Sequence, residues 1–239
     1  MQISTKALVL SSIKYGDTSL IVRCYTERAG TKSYILKGLL KNRKGKLKPA
    51  YFQALNQLEL TANHTNKTSL NTIKEARVLY NYETIYTDIV KQSIVFFISE
   101  MLTSSIREEE VNKPLFSYLE HSLKWLDLHN SVANFHLVFL MNLTKYLGFY
   151  PEGSNKKEAC FNMQEGRFLS DSLRENCLGG SDLILFKTLL GINFDVIDML
   201  SFQMSDKQRL LEIIIEYFEL HMAWFRRPKS LYILKELFR

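Results

Sequence analysis

Apolar and polar residues alternate with a period of two along the first 80 residues and with a helical period along the rest. In TSLIVRCYT, Leu20, Val22 and Cys24 alternate with Ile21, Arg23 and Tyr25, the pattern of a half-buried strand. TERAG follows, Gly30 offers a turn, and TKSYILKG reads as the returning strand of a hairpin. QISTKALVLSS precedes this pair, YFQALNQLEL places Phe52, Ala54, Leu58 and Leu60 on one side, and SLNTIKEARVL supplies a fifth run. Five short strands in so short a stretch predict a small closed or nearly closed antiparallel barrel.

After residue 80 the period changes. Residues 81–110 hold no glycine or proline and predict one long helix. Asn112 and Pro114 suit a helix start, and PLFSYLEHSLKWLDLH is the next helix. SVANFHLVFLMNLTKYLGF is apolar on several sides, as a central helix is, and stops at Gly148 and Pro151. A short irregular insert near 153–180 has a small hairpin around Glu165 and Gly166. Ser181 and Asp182 are expected to cap SDLILFKTLLG. Ser205 and Asp206 are expected to cap an amphipathic helix through Leu210, Ile214, Tyr217, His221 and Phe225, and Pro228 to open the last helix, PKSLYILKELFR. The fold class is α+β, a β-barrel at 1–80 followed by an α-helical domain at 81–239. No flexible linker separates the two, so they are expected to pack together.

Charge sharpens this picture. The chain carries a net +6, yet residues 1–80 hold fourteen Lys and Arg against four Asp and Glu, and residues 81–239 hold seventeen against twenty-one. The excess gathers in KGLLKNRKGKLKP, where Lys37, Lys41, Arg43, Lys44, Lys46 and Lys48 stand without an acid among them. Like charges so close repel, which is tolerable where a polyanion neutralises them. Between the third and fourth strands, such a loop borders the groove in which small barrels hold single-stranded nucleic acid. Arg23 joins the six as an expected phosphate contact, and Tyr15, Tyr25, Tyr34 and Tyr51 are candidates for stacking on bases. The bland alternative is a solubilising charge excess.

Catalytic patterns are missing from the chain. GTKS at Gly30 to Ser33 lacks the upstream glycine of a phosphate loop, and the five histidines have no ligand spacing. Glu108 to Glu110 read as a solvated face. Cys160 and Cys177 lack the Cys-x-x-Cys partners of a structural zinc site, so neither metal nor cofactor is expected, and Cys24 reads as a core residue. The few cysteines and the lack of a leader or apolar span fit a protein of the cytoplasm. From Arg226 the tail carries Arg226, Arg227, Lys229, Lys235 and Arg239 beside Trp224 and Phe225. It offers a second DNA contact, a pocket for an acidic, aromatic-ended peptide, or a positive last turn that complements a helix dipole.

The order of these features resembles the RecO family of bacterial recombination mediators. ALVLSSIKYGDTSLIVRCYTERAGTKSYILKGLLK, LKPAYFQALNQLEL and NTIKEARVL are similar to its N-terminal barrel, and YLGFYPEG and PKSLYILKELF to its helical remainder. The resemblance implies an oligonucleotide-binding (OB) barrel and a non-enzymatic protein that binds single- and double-stranded DNA and anneals complementary strands. It also implies work with RecR in loading RecA onto DNA coated by single-stranded-DNA-binding protein (SSB), and recognition of the acidic SSB tail, for which Trp224, Phe225, Arg226 and Arg227 are the expected socket. Many members carry a four-cysteine zinc module where this chain keeps Cys160 and Cys177, so zinc is not carried over. The rival expectation is an RNA-binding OB-fold protein of translation or ribosome assembly.

Overall fold

The computed structural model describes residues 1–41, 46–65, 70–107, 110–154, 158–170 and 175–237. Its contacts divide the chain into two compact units, Met1–Leu128 with Pro228–Ser230, and His129–Arg227 with Leu231–Arg239.

In the first unit, β1 (Gln2–Tyr15), β2 (Ser19–Thr26), β3 (Gly30–Leu36), β4 (Gln57–Asn63) and β5 (Leu70–Val78) close a barrel in the order β1-β2-β3-β5-β4. One pairing differs from the antiparallel expectation: β3 meets β5 in parallel. The reason is parity, since an odd number of strands cannot alternate direction around a closed ring. Val9, Val22, Cys24, Tyr34, Leu58 and Leu60 fill the interior without exposed surface. Burial in this apolar interior pushes the Cys24 thiol up. The run expected to start the fourth strand instead forms a short 3-10 turn at Pro49–Phe52. Pro49 has no N–H for a ladder, so pairing waits until Gln57. Phe52 still reaches the barrel core.

A bulge interrupts β1 between Val9 and Ser11. Ala7 and Val9 face the interior before it. After it, Ser12 lies opposite Val22 and Ile13 opposite Ile21. Cross-strand partners share a face, so the odd-numbered residues of β1 change from inside to outside. A bulge leaves ladder groups unpaired. Here the carbonyl of Leu10 accepts from Ser99 Oγ (2.6 Å) and Thr103 Oγ1 (3.2 Å) of α1 (Ile89–Ser105).

The helix α1 starts eight residues later than the sequence pattern predicts, because Asp88 caps it and Asp127 holds the residues before it. Asp88 Oδ1 accepts from Val90 N (2.8 Å) and Lys91 N (3.0 Å). Asp127, near the end of α2 (Lys113–Leu128), accepts from the backbone N–H of Glu83, Thr84 and Ile85 at 2.8–3.0 Å. Burial raises the affinity of this carboxyl for a proton, but those bonds overcome it and hold Asp127 below the usual carboxylate range. Buried Lys91 donates from Nζ to Thr84 Oγ1 (2.6 Å) and to the Asp127 carbonyl (2.8 Å). Tyr82 and Tyr86 of the same connector donate to the carbonyls of Leu55 and Ala54 beside the barrel.

In the second unit, α3 (Phe135–Leu147) is buried from Phe135 through Thr144, as its all-round apolarity predicts, and ends at Gly148 with φ +87°. The insert forms a sheet of β6 (Cys160–Asn162), β7 (Arg167–Leu169) and β8 (Cys177–Leu178), with β6 in the centre. The expected hairpin around Glu165 and Gly166 is its β6–β7 turn. Phe161 of β6 packs on Phe168, on Phe186 of α4 (Gly180–Leu189) and on Tyr217 of α5 (Met204–His221), with ring centres 4.8–5.9 Å apart. The expected caps shift inward. Gly179 is the cap of α4, so Ser181 and Asp182 lie in its first turn. Gln203 precedes α5 and donates its N–H back to Asp206 (3.3 Å). The last helix, α6 (Leu231–Leu237), begins three residues after Pro228.

Candidate nucleic-acid interface

The basic loop leaves β3 at Leu36 and turns at Gly38, whose φ of +70° favours a residue without Cβ. Gly38 N–H donates to Ser19 Oγ (3.3 Å), and Leu40 N–H donates to the Thr18 carbonyl (2.9 Å). The start of the loop is thereby tied to the β1–β2 turn. Leu39 is buried and Leu47 packs against the same barrel core. Leu39 and Leu47 thus hold the described ends of the loop down, while Leu40 is exposed. Lys37, Lys41, Lys46 and Lys48 are exposed. Lys46 Nζ stands 3.7 Å from Glu75 Oε1, with both side chains mostly in solvent. Such a pair is worth little and yields readily to a phosphate. Arg43 and Lys44 lie outside the described residues.

Arg23 is placed differently. It sits beside the β1 bulge, opposite Ser11, and donates from Nη1 to the Thr103 carbonyl (3.1 Å) and from Nη2 to the Ile106 carbonyl (2.7 Å). These are carbonyls at the end of α1, which the helix itself leaves unsatisfied. Burial, and then the like charge of Arg107, push this guanidinium below its usual range. Two of the four candidate tyrosines are also absorbed by the fold. Tyr25 is buried with its hydroxyl on the Asn112 carbonyl (3.0 Å), and Tyr34 is buried with its hydroxyl 3.0 Å from His64 Nε2. Tyr51 packs partly against the barrel core, and Tyr15 is exposed.

In the second unit, Trp224 is 41% exposed, and Phe225 braces on Phe218 with ring centres 5.5 Å apart. Arg226 is exposed. Arg227 donates to both oxygens of Glu219 (2.8 and 2.9 Å) and to Glu212 (2.9 Å), hydrogen bonds that raise its pKa further. Lys235 also bonds Glu212. The positive tail is therefore partly matched by acids of α5, a pairing that its local sequence does not reveal.

Cys160 and Cys177 come together as a disulfide across β6 and β8, with Cα atoms 5.6 Å apart. Adjacency of β6 and β8 brings the two cysteines together, which their separation in the sequence does not reveal. Among the described residues no group of three or more His, Cys, Asp and Glu is placed to hold a metal ion. Joined to each other, these two sulfurs do not fit a structural zinc site, which takes four thiolate or imidazole ligands. Among the described residues no helix is long and apolar enough to cross a membrane.

A closed five-stranded barrel of this order, with a basic loop between β3 and β4, is an OB-fold, the first part of a protein with an α-helical remainder. Residues 1–82 match the family model described as recombination protein O N terminal, and residues 86–231 match recombination protein O C terminal. The chain is 45% identical to DNA repair protein RecO of Christiangramia forsetii and 46% identical to that of Flavobacterium johnsoniae, each over the full length of both chains. It is 38% identical to DNA repair protein RecO of Bacteroides fragilis over 98% of each chain. The chain belongs to the RecO family of DNA repair proteins.

Proposed function

We propose that the protein is a non-enzymatic mediator of DNA repair and homologous recombination in the bacterial cytoplasm, at the nucleoid. The barrel of residues 1–80 is the DNA-binding domain, and residues 81–239 form the helical domain that meets protein partners. Lys37, Lys41, Lys46 and Lys48, with Arg43 and Lys44, neutralise phosphates of single- or double-stranded DNA largely without reading sequence. Their charge lowers the repulsion between two complementary strands, which then anneal. With RecR, the protein helps load RecA onto strands coated by SSB. Trp224 and Phe225 offer apolar surface, and Arg226 and Arg227 the cations, for the acidic SSB tail. Arg23 serves the barrel–helix junction rather than phosphate.

The observation that supports this reading is an exposed, acid-free run of lysines, anchored by Leu39 and Leu47 to an OB barrel, in a chain of a DNA repair family. The test replaces Lys37, Lys41, Lys46 and Lys48 by Gln and follows a labelled single strand by fluorescence anisotropy over a range of salt. If all six loop charges engage phosphates, the wild-type log–log slope is about −4, and the variant's is flatter by about 3. Annealing of complementary strands slows in parallel. Unchanged affinity and slope in the variant would sink the reading. Tighter binding of RNA than of DNA by the wild type would move it to the translation machinery.

A further inference from the structure

The two halves of the Cys160–Cys177 disulfide are placed unequally. Cys160 has no exposed surface and belongs to β6, the central strand of its sheet. Neighbouring Phe161 fixes that strand against Phe168, Phe186 and Tyr217. Cys177 is half-buried and lines a cavity of about 520 Å³ beside α5. A nucleophile that arrives from solvent therefore meets the Cys177 sulfur first. Cys177 is also on the more easily moved strand. β8 has two residues, and both pair only with β6. The residues before it add two bonds, from Met163 N–H to the Asn176 carbonyl (2.9 Å) and from Asn162 Nδ2 to the Glu175 carbonyl (3.1 Å). So short an edge opens at little cost.

A fixed, buried sulfur joined to a movable, accessible one suits exchange better than bracing. The reducing cytoplasm points the same way, because disulfides that persist there are mostly transient ones used in catalysis or sensing. The cavity wall indicates which thiol would enter. Arg209 and Glu216 supply charge of both signs, and Met163 and Leu220 supply apolar surface. Arg209 pairs with Asp182 (2.7 Å), yet 46% of its side chain stays exposed. Glu219 of the same wall is taken up by Arg227. A guanidinium and a carboxylate on one wall match a thiol that carries a carboxylate and an ammonium group. A cavity of this volume has room for an amino acid or a short peptide.

We propose that Cys160–Cys177 is a thiol-exchange site, at which a low-molecular-weight aminothiol becomes attached to Cys177. The aminothiol thiolate attacks the Cys177 sulfur and forms a new S–S bond. The Cys160–Cys177 bond breaks, and its electron pair leaves on the Cys160 sulfur, which takes up a proton. A second aminothiol thiolate then attacks the attached aminothiol sulfur. The symmetric aminothiol disulfide departs, and Cys177 is left as a thiol once protonated. Two thiols are thus oxidised to one disulfide while the protein pair is reduced by two electrons, and the steps run backwards under oxidising conditions. Of the proposed function, the inference uses only the cytoplasmic setting, and it stands apart from the DNA and peptide sites.

The test incubates the full-length protein with mixtures of reduced and oxidised glutathione, quenches with acid, alkylates free thiols and reads the products by mass spectrometry. The wild type is expected to pass from disulfide to dithiol across the mixtures, with a glutathione adduct on Cys177 between them. Cys160→Ser, treated with oxidised glutathione, should take up one glutathione on Cys177. Cys177→Ser, whose remaining thiol is buried, should react at least about tenfold more slowly. Glu216→Gln added to Cys160→Ser should slow the reaction with oxidised glutathione severalfold and leave that with the uncharged disulfide of 2-mercaptoethanol unchanged. A wild-type pair that stays oxidised in every mixture is a structural brace, and one that is a dithiol in every mixture is no disulfide. Either result overturns the exchange site, and neither touches the DNA-binding reading, which is measured separately. An adduct on Cys160 instead of Cys177 overturns it too, and an equal response of both disulfides to Glu216→Gln overturns the choice of an aminothiol. The wild-type titration needs no variant and decides the matter even where a serine variant does not fold.

Discussion

Arg23→Gln separates a structural arginine from a DNA contact. Arg23 closes two carbonyls at the end of α1 with hydrogen bonds of 3.1 and 2.7 Å. Bonds from a charged donor are each worth about 1.5–3 kcal/mol, and a cation at a helix C-terminus adds about 0.3–1 kcal/mol. One side chain supplies both bonds and is only half-buried, so the parts do not add fully. A total loss of about 2–3 kcal/mol follows, or about 5–10 °C in melting temperature for a chain of this size. Glutamine cannot reach both carbonyls, and lysine, with one nitrogen, should recover only part of the loss. The assay is a thermal melt by circular dichroism, paired with single-strand anisotropy at a temperature where the variant is folded. The expected outcome is a lower melt with unchanged affinity and salt slope. A variant that melts like the wild type but binds DNA more weakly with a flatter slope would refute the argument and return Arg23 to the phosphate contacts.

The remaining predictions concern the connector and the tail. Asp127→Ala leaves three backbone N–H groups without their acceptor and should cost about 3–5 kcal/mol in a urea melt at neutral pH. Because the folded pKa of Asp127 is depressed, its stabilisation is full above the unfolded value of about 3.9 and is lost as pH falls through the folded value. The gap between wild type and Asp127→Asn should therefore narrow below about pH 4. Trp224→Ala should weaken binding of an acidic peptide with the SSB tail's chemistry by about fivefold or more in a titration, without changing DNA affinity. Unaltered peptide binding would exclude this socket.

Periodicity was enough to mark five strands and most helices, because each buries one face and so repeats along the chain. It failed where a single backbone event changes the rule. The first strand, read as QISTKALVLSS, in fact runs on to Tyr15, past a bulge that turns Ile13 and Tyr15 outward. The connector 81–88 has no helix breaker, but a carboxylate some forty residues later takes its N–H groups. The lysine loop was legible because six like charges without an acid are unusual. The fate of Arg23 was not, because a strand arginine facing a helix end and one facing solvent have the same local sequence. The pairing of Arg227 with Glu212 and Glu219 is hidden for a related reason: its register depends on how the tail returns to α5.

The bulge, the helix end and the basic loop belong to one argument. The bulge exposes the Leu10 carbonyl, and Ser99 and Thr103 answer it. Arg23 then answers the helix end. These contacts fix where α1 stops along the outer face of β1 and β2, and Ile13 stays exposed beyond that point, beside half-buried Ile21 and Ile35. The β1–β2 turn at the edge of this uncovered face holds the start of the lysine loop through Ser19 and Thr18. Without the bulge, Ile13 and Tyr15 would lie on the interior side and the loop would border a face with no large apolar side chain from β1. The repulsion among the loop lysines is thus borne where it has most use, on a loop pinned by Leu39 and Leu47 beside the part of the barrel that the helix leaves open.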